Sequence, residues 1–373
     1  MNNYLDLSLI PTQYNKKGIC TYGEVEYELE GFTKEYENGY TNFLFNEQTV
    51  LNDFIPFRYL DGFSPNLNKH LHLGHFSNLV LAKTFQKLGV AHETIAIYGD
   101  TLEGNDYKNK HYMNFDYDIH IEYFASTISY YSNTHKLKKG DGDYENTMII
   151  NFDGNKYVMI KSDKKTTYLY QDLALIETLN AKTLYLTGEE QKHHFEILRK
   201  YSDNVNHLPL GLVTINGEKM SSRVGNVFYM SDVIEMFRAL LNVHDLKLVY
   251  NCFAGYILNT NPSKSKTINT ELLTNLKSNY GLYISYTTAR LYNMTTKLND
   301  ELIVTLSTRF IYLKSKHLLN PSLLFKWLIS LCEQVNSNYK TLNSKNGHNF
   351  YSQLYSDILF CINKLGLYVI ERV

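Results

Sequence analysis

The sequence predicts an α/β protein: a doubly wound parallel sheet carrying an inserted segment, followed by a bundle of α-helices. Three observations predict it. Strand-like and helix-like stretches alternate over residues 56–104 and again over 161–235, the order that builds a parallel sheet. A polar, tyrosine-rich stretch of about 105–160 interrupts that alternation. From about 236 the pattern changes, and long amphipathic helices dominate to the end. The expected divisions are a short β-rich segment over 1–55, the sheet domain over 56–265 with its insertion, and a helical domain over 266–373.

Each element follows from local pattern. Residues 1–55 alternate polar and apolar in short runs, as in Tyr22-Gly23-Glu24-Val25-Glu26-Tyr27. In 56–104 a strand and a turn precede a helix that begins near His75, with Phe76, Leu79, Val80 and Leu88 at helical spacing. Gly89 suits its C-terminal stop, and Val90 to Ile97 reads as the next strand. The insertion is punctuated by Gly140-Asp141-Gly142. Thr183-Leu184-Tyr185-Leu186-Thr187 resumes the strands, and a helix runs through Phe195 and Leu198. Asn261-Pro262-Ser263-Lys264 breaks the pattern near the second boundary. Helices are expected over 273–297, 323–342 and 350–368.

Composition narrows the class. At 373 residues the chain is long enough for two or three domains, and 44% hydrophobic with 20% charged residues is globular. No run of 18 apolar residues suggests a membrane span. The start, Met1-Asn2-Asn3-Tyr4-Leu5-Asp6, lacks the basic and then apolar order of a signal peptide. Cys20, Cys252, Cys332 and Cys361 are scattered without a Cys-x-x-Cys pair, which argues against a zinc site or a disulfide framework and fits a reducing cytoplasm. Net charge is −1, but residues 271–373 carry +5 and residues 1–270 carry −6. A basic end on an acidic body suits a grip on a phosphate backbone; ordinary scatter of surface charge gives the same numbers.

Two short segments carry the chemistry. One is Ser64-Pro65-Asn66-Leu67-Asn68-Lys69-His70-Leu71-His72-Leu73-Gly74-His75. The other, beginning 147 residues after His72, is Lys219-Met220-Ser221-Ser222-Arg223, followed by Gly225-Asn226. A bare His-x-Gly-His is most often a turn with incidental histidines, and a bare Lys-Met-Ser-Ser is weak. Together and in this order they resemble the two signatures of class I aminoacyl-tRNA synthetases. The Ser-Pro-Asn-x-x-Lys lead-in narrows the resemblance to the arginyl-tRNA synthetase family, over roughly residues 38–373. It implies a Rossmann-like catalytic domain with a connective insertion, an anticodon-binding helical bundle, and ATP, L-arginine and tRNA(Arg) as ligands, with Mg²⁺ accompanying ATP. Activation in the family generally requires tRNA. A monomer is expected, and no resident metal.

The resemblance assigns residues. Joining a carboxylate to the α-phosphate of ATP crowds negative charge, which imidazole donors at a helix N-terminus can stabilise. His72 and His75 are therefore expected on the phosphates, with Gly74 admitting the adenosine and Lys69 adding fixed positive charge. Lys219 would reach the pyrophosphate, with Met220, Ser221 and Ser222 completing that loop. A guanidinium calls for carboxylates and planar polar partners. The family's acidic residue five before the Asn of Ser-Pro-Asn is Asp61, a methylene shorter than the usual Glu. Its Tyr-x-Thr-x-Asp is Tyr168-Leu169-Tyr170-Gln171-Asp172, with Tyr170 in place of Thr. Its Gln-x-x-His-Phe is Gln191-Lys192-His193-His194-Phe195. Asp61, Ser64, Asn66, Tyr168, Asp172 and Gln191 are so implied to bind arginine. In isolation Tyr168 and Phe195 read as core and Asp172 as a helix start. Tyr280-Gly281-Leu282-Tyr283-Ile284-Ser285-Tyr286-Thr287-Thr288-Ala289-Arg290 resembles the opening of the anticodon-binding domain and implies that Tyr286 and Arg290 meet tRNA.

Departures from the family pattern fall outside the ATP signatures. Of the usual N-terminal domain only a remnant such as Gly39-Tyr40-Thr41-Asn42-Phe43 is recognisable. Ser77 replaces Arg after the second signature histidine, and Gly99-Asp100-Thr101-Leu102-Glu103-Gly104 replaces a longer glycine-rich stretch. The leading expectation is an arginine–tRNA ligase. Two alternatives stay open: a paralogue passing activated or tRNA-borne arginine to another acceptor, and an inactive tRNA-binding protein.

Overall fold

A computed structural model describes residues 13–15, 18–26, 32–45, 55–64, 71–98, 121–125, 137–152, 154–218, 227–295, 304–339 and 348–372. Lys69, Asn66, Lys219, Met220, Ser221 and Ser222 lie outside the described residues, as does the stretch 99–104.

Five strands form one parallel sheet: β5 (Phe57–Asp61), β6 (Ala91–Tyr98), β7 (Ile121–Ala125), β11 (Thr183–Gly188) and β12 (Val205–Leu210). Their order is β12-β11-β5-β6-β7. The chain thus winds outward in one direction from β5 through β7, then returns to β11 and winds the other way. That reversal between β5 and β11 opens a crevice at the carboxyl ends of the two strands, the place where such sheets bind ligands.

Strand alternation explains why both faces are covered. On β11, Leu184 and Leu186 enter one core and Tyr185 enters the other. Helix α1 (Leu73–Leu88) covers the first face, with Phe76, Leu79, Val80 and Phe85 fully buried. It starts two residues before the expected His75, because His72 caps it. It ends on Gly89, whose φ of 69° is left-handed. The fit of α1 on the sheet requires Gly62: a Cβ there would sit 2.8 Å from Ala82 Cβ and 2.9 Å from Leu186 Cδ1. Helices α2 (Tyr168–Leu179) and α3 (Lys192–Tyr201) cover the second face through Leu169, Leu173, Ile176, Phe195 and Leu198.

Two antiparallel sheets flank this layer. Strands β1 (Gln13–Asn15), β2 (Gly18–Tyr22), β3 (Phe32–Glu37) and β4 (Tyr40–Phe45) pair in the order β1-β2-β4-β3, and Phe43 anchors them to the main core. Within the interrupted stretch, β8 (Lys138–Lys139), β9 (Met148–Phe152) and β10 (Asn155–Ile160) pair as β10-β9-β8, and Ile150 and Met159 pack into the core under α2. A short parallel pair, β13 (Val213–Ile215) with β14 (Lys266–Ile268), follows the sheet.

Six further helices follow among the described residues: α4 (Met230–Leu241), α5 (Leu246–Leu258), α6 (Tyr280–Thr295), α7 (Leu306–His317), α8 (Ser322–Asn338) and α9 (His348–Leu365). The expected helix at 273 starts only at 280. Asn279 is the reason: its Oδ1 accepts from Leu282 N at 3.1 Å as an N-cap, and its Nδ2 donates to Leu273 O at 2.8 Å, holding the preceding turn out of the helix. Helices α5 and α6 cross at backbone contact through Gly255 and Gly281. A Cβ on Gly281 would lie 1.9 Å from Asn251 O.

The bundle grips the C-terminal half of α1. Thr84 Oγ1 donates to Leu365 O at 2.9 Å, and Tyr312 OH donates to Leu88 O at 3.0 Å. Lys83, 3% exposed, places its ammonium 4.6 Å from the Tyr250 ring centre and 3.9 Å from that of Tyr368. One hydrophobic core therefore runs from Phe43 to Ile370. Among the described residues no helix is long and apolar enough to cross a membrane.

Candidate functional site

The site is assembled at the crevice between β5 and β11. Leu71 and Leu73, which flank His72, are tied to the segment that follows the second signature: Met230 N donates to Leu71 O and Leu73 N donates to Phe228 O, both at 2.9 Å. His72 pairs with Tyr229 as an isolated antiparallel bridge between them. Backbone hydrogen bonds thus bring together two stretches more than 150 residues apart in sequence.

His72 and His75 form a capping box at the start of α1. His72 Nδ1 accepts from Gly74 N at 3.2 Å, and His75 Nδ1 accepts from His72 N at 3.1 Å. The two rings lie 3.9 Å apart with a 33° tilt. Accepting through Nδ1 has a chemical consequence. It places the hydrogen of each ring on Nε2, so both imidazoles are Nε2–H donors beside a helix N-terminus. Phe63, two residues past β5, meets His75 edge-on at 6.5 Å and so connects the strand end to the helix start.

Asp61 is the last residue of β5 and is 8% exposed. Ser64 Oγ donates to its Oδ1 at 2.5 Å. Burial raises the Asp61 carboxyl to about 7, against the lowering effect of the Ser64 hydrogen bond and with a smaller upward contribution from the Asp172 charge. Buried Tyr185 on β11 faces the same two carboxylates. Its phenol is pushed far upward, by burial first and then by Asp61 and Asp172. Asp61, Ser64, Tyr185 and Asp172 therefore form one cluster with two carboxyl groups, whose ionisation a cationic side chain would favour.

Asp172 stands one turn into α2, whose N-terminus is fixed by Thr167. That side chain accepts from Tyr170 N at 3.3 Å and donates to Val158 O at 3.0 Å. Tyr168 at the first helical position is 73% exposed, while Tyr170 is buried in the core. Asp172 is held by a residue of α3: His194 Nε2 lies 2.5 Å from Asp172 Oδ2. Behind His194 the Phe195 ring meets it edge-on at 5.5 Å and stacks on His207 at 4.3 Å with a 14° tilt. His207 on β12 is bonded to Thr187 Oγ1 at 2.9 Å and receives Arg199 at its carbonyl, also at 2.9 Å. Burial and the Arg199 charge lower its imidazole to about 4, so this ring is neutral in the pile.

The structure thus gathers His72, Gly74 and His75 at the start of α1, and Asp61, Ser64 and Asp172 near the carboxyl end of β5. Gln191 precedes α3, exposed and without a side-chain cap. Tyr286 and Arg290 are on α6, within the bundle. There the Arg290 guanidinium lies 4.4 Å from the Tyr286 ring centre and 4.1 Å from that of Tyr339, and its Nη1 donates to Asn336 Oδ1 at 2.9 Å. Sequence reasoning missed His194, although it stands in the Gln-x-x-His-Phe string, and missed Tyr185 and His207, for which no sequence signal exists beyond strand alternation.

No family model matches the sequence. The arginine–tRNA ligase of Oenococcus oeni is 26% identical over 232 residues, which cover 50% of this chain and 41% of that protein. The arginine–tRNA ligase of Flavobacterium psychrophilum is 25% identical over 238 residues, 51% of this chain and 39% of that protein. The aligned part thus spans about two-fifths of these relatives' length. Among solved structures, Thermus thermophilus arginyl-tRNA synthetase superimposes with a TM-score of 0.65 at 14% identity, covering 92% of this chain and 89% of that one. Arginyl-tRNA synthetase from Plasmodium falciparum gives 0.57 at 16% identity, covering 92% and 86%. The fold is that of arginyl-tRNA synthetases, and the curated relatives are arginine–tRNA ligases.

Proposed function

We propose that the protein is a class I arginine–tRNA ligase. The carboxylate of arginine attacks the α-phosphate of ATP, releasing pyrophosphate and leaving arginyl-adenylate. The terminal adenosine of tRNA(Arg) then takes the arginyl group through a ribose hydroxyl and AMP departs. Mg²⁺ enters with the nucleotide as part of the substrate.

The observation that supports this reading is the pairing of His72 and His75 at the start of α1, whose Nδ1 atoms accept backbone N–H groups, in a chain that also sets the Asp61 and Asp172 carboxyls near one another at the end of β5. His72 and His75 donate to the ATP phosphates as charge develops there, and α1 aims its N-terminal dipole at the same oxygens. Gly74 lets adenosine approach the backbone. Asp172 receives the guanidinium, with Asp61 and Ser64 completing the acidic wall and Tyr168 and Gln191 on the amino-acid side; from sequence alone, Asn66 joins them as an arginine-binding residue. From sequence alone, Lys69 and Lys219 bring positive charge to the phosphates, with Met220, Ser221 and Ser222 beside Lys219. Tyr286 and Arg290 belong to the part that meets tRNA. The chain acts in the cytoplasm as a monomer.

The test is amino-acid-dependent exchange of pyrophosphate into ATP, run with all twenty amino acids, with and without total tRNA, beside Lys219→Ala. Exchange with arginine alone, stimulated by tRNA and lost in Lys219→Ala, supports the reading. Exchange with a different amino acid, or none, removes it. Charging of tRNA with radiolabelled arginine separates a ligase from a paralogue that uses another acceptor.

A further inference from the structure

We infer that His194 is a positioning residue for amino-acid recognition, which sets the orientation of the Asp172 carboxylate from behind and leaves one oxygen for the incoming cation. The inference rests on the reading of Asp172 as the acceptor of the substrate side chain. It adds a residue to which that reading gave no role.

Three observations carry it. His194 Nε2 holds Asp172 Oδ2 at 2.5 Å, while among the described residues Oδ1 accepts no hydrogen bond. The bond sits in a partly open position, with side-chain exposures of 26% for His194 and 32% for Asp172, where an ion pair made only for stability contributes little. Finally, His194 is itself braced. Phe195 packs edge-on against it and stacks on His207, and His207 is fixed through Thr187 and Arg199. Four successive elements, α2, β11, α3 and β12, contribute to a pile whose end is one carboxylate oxygen.

The physical effect is pre-organisation. Aspartate has two free side-chain torsions, and an unbraced carboxylate facing Asp61 is pushed outward by like charge. With Oδ2 anchored, Oδ1 points to a fixed place, and the cation spends little of its binding energy on ordering its partner. His194 touches neither ATP nor the reacting atoms. Its loss therefore acts on recognition of the amino acid and not on the chemical step.

The experiment is steady-state pyrophosphate exchange in the presence of total tRNA on wild type, His194→Ala, His194→Gln and Phe195→Leu, with folding of each followed by thermal unfolding. Glutamine places an amide N–H where Nε2 stands. Expected is a rise of about tenfold or more in the arginine KM of His194→Ala, with the ATP KM and kcat unchanged. Recovery of most of that loss is expected in His194→Gln, and an intermediate rise in Phe195→Leu. An arginine KM for His194→Ala equal to wild type overturns the inference, as does a fall in kcat at unchanged KM or a His194→Gln as weak as the alanine variant. Wild type that activates no amino acid removes the functional reading together with the inference. Active wild type with an indifferent His194→Ala removes the inference alone.

Discussion

Met230 donates its backbone N–H to the carbonyl of Leu71 at 2.9 Å, one residue before His72. Together with the bond from Leu73 to Phe228, it clamps the histidine segment onto the start of α4. This clamp couples the start of α1 to the start of α4, which follows the second signature in sequence. Met230 is the first residue of α4, a position that tolerates proline, and Tyr229 at ψ 149° already has the extended backbone that precedes proline. Met230→Pro therefore removes one hydrogen bond with little harm to the helix. Relative to Met230→Ala, which loses the side chain and keeps the N–H, it is expected to cost about 1–3 kcal/mol more in denaturant unfolding and to slow arginine activation. Equal stability and rate in the two variants contradict the coupling.

Asp61 links pH to both stability and binding. Its folded value of about 7 lies above the ordinary 3.8. Between those limits the folded state holds a proton that the unfolded state has released, so folding stability falls as pH rises from about 4 to about 7. Wild type measured against Asp61→Asn should lose on the order of a few kcal/mol across that range, with a flat difference below it. Ionisation also supplies the charge that attracts a cation. The arginine KM is expected to fall as pH rises toward about 7 in wild type and to be less pH-dependent in Asp61→Asn. A pH-independent stability difference sinks this assignment.

Gly281 answers to packing. Since an added Cβ would overlap Asn251 O, Gly281→Ala must push α6 from α5, with an expected loss of about 3 kcal/mol. Chemical denaturation measures it, and an unchanged midpoint excludes the close crossing.

Much of this was legible in the sequence, for identifiable reasons. The sheet and α1 were visible because Phe76, Leu79, Val80 and Leu88 recur at helical spacing and Gly89 ends the run. His72, Gly74 and His75 were visible because their spacing is local: the capping box closes within three residues. What the sequence concealed is long-range. Asp172 and His194 are 22 residues apart on different helices, and only the packing of α2 and α3 on one sheet face brings them together. His207 joins through a ring stack that leaves no pattern in the chain. The start of α6 was misplaced because apolar spacing extends back to 273, while Asn279 fixes the cap. Arg290 was read as a tRNA contact. In the structure its sandwich between Tyr286 and Tyr339, with a bond to Asn336, makes it a fastener of α6 to α8.

The central claim is that one crevice holds an ATP side built on His72 and His75 and an amino-acid side built on Asp172. The most direct measurement is tRNA-stimulated pyrophosphate exchange with arginine in wild type, His72→Ala and Asp172→Ala, with arginine and ATP varied separately. The account predicts arginine-dependent exchange in wild type and a kcat loss of roughly a hundredfold in His72→Ala at a near-normal arginine KM. For Asp172→Ala it predicts an arginine KM raised by roughly a hundredfold while ATP still binds. The same arginine dependence in Asp172→Ala as in wild type, or full turnover in His72→Ala, contradicts it.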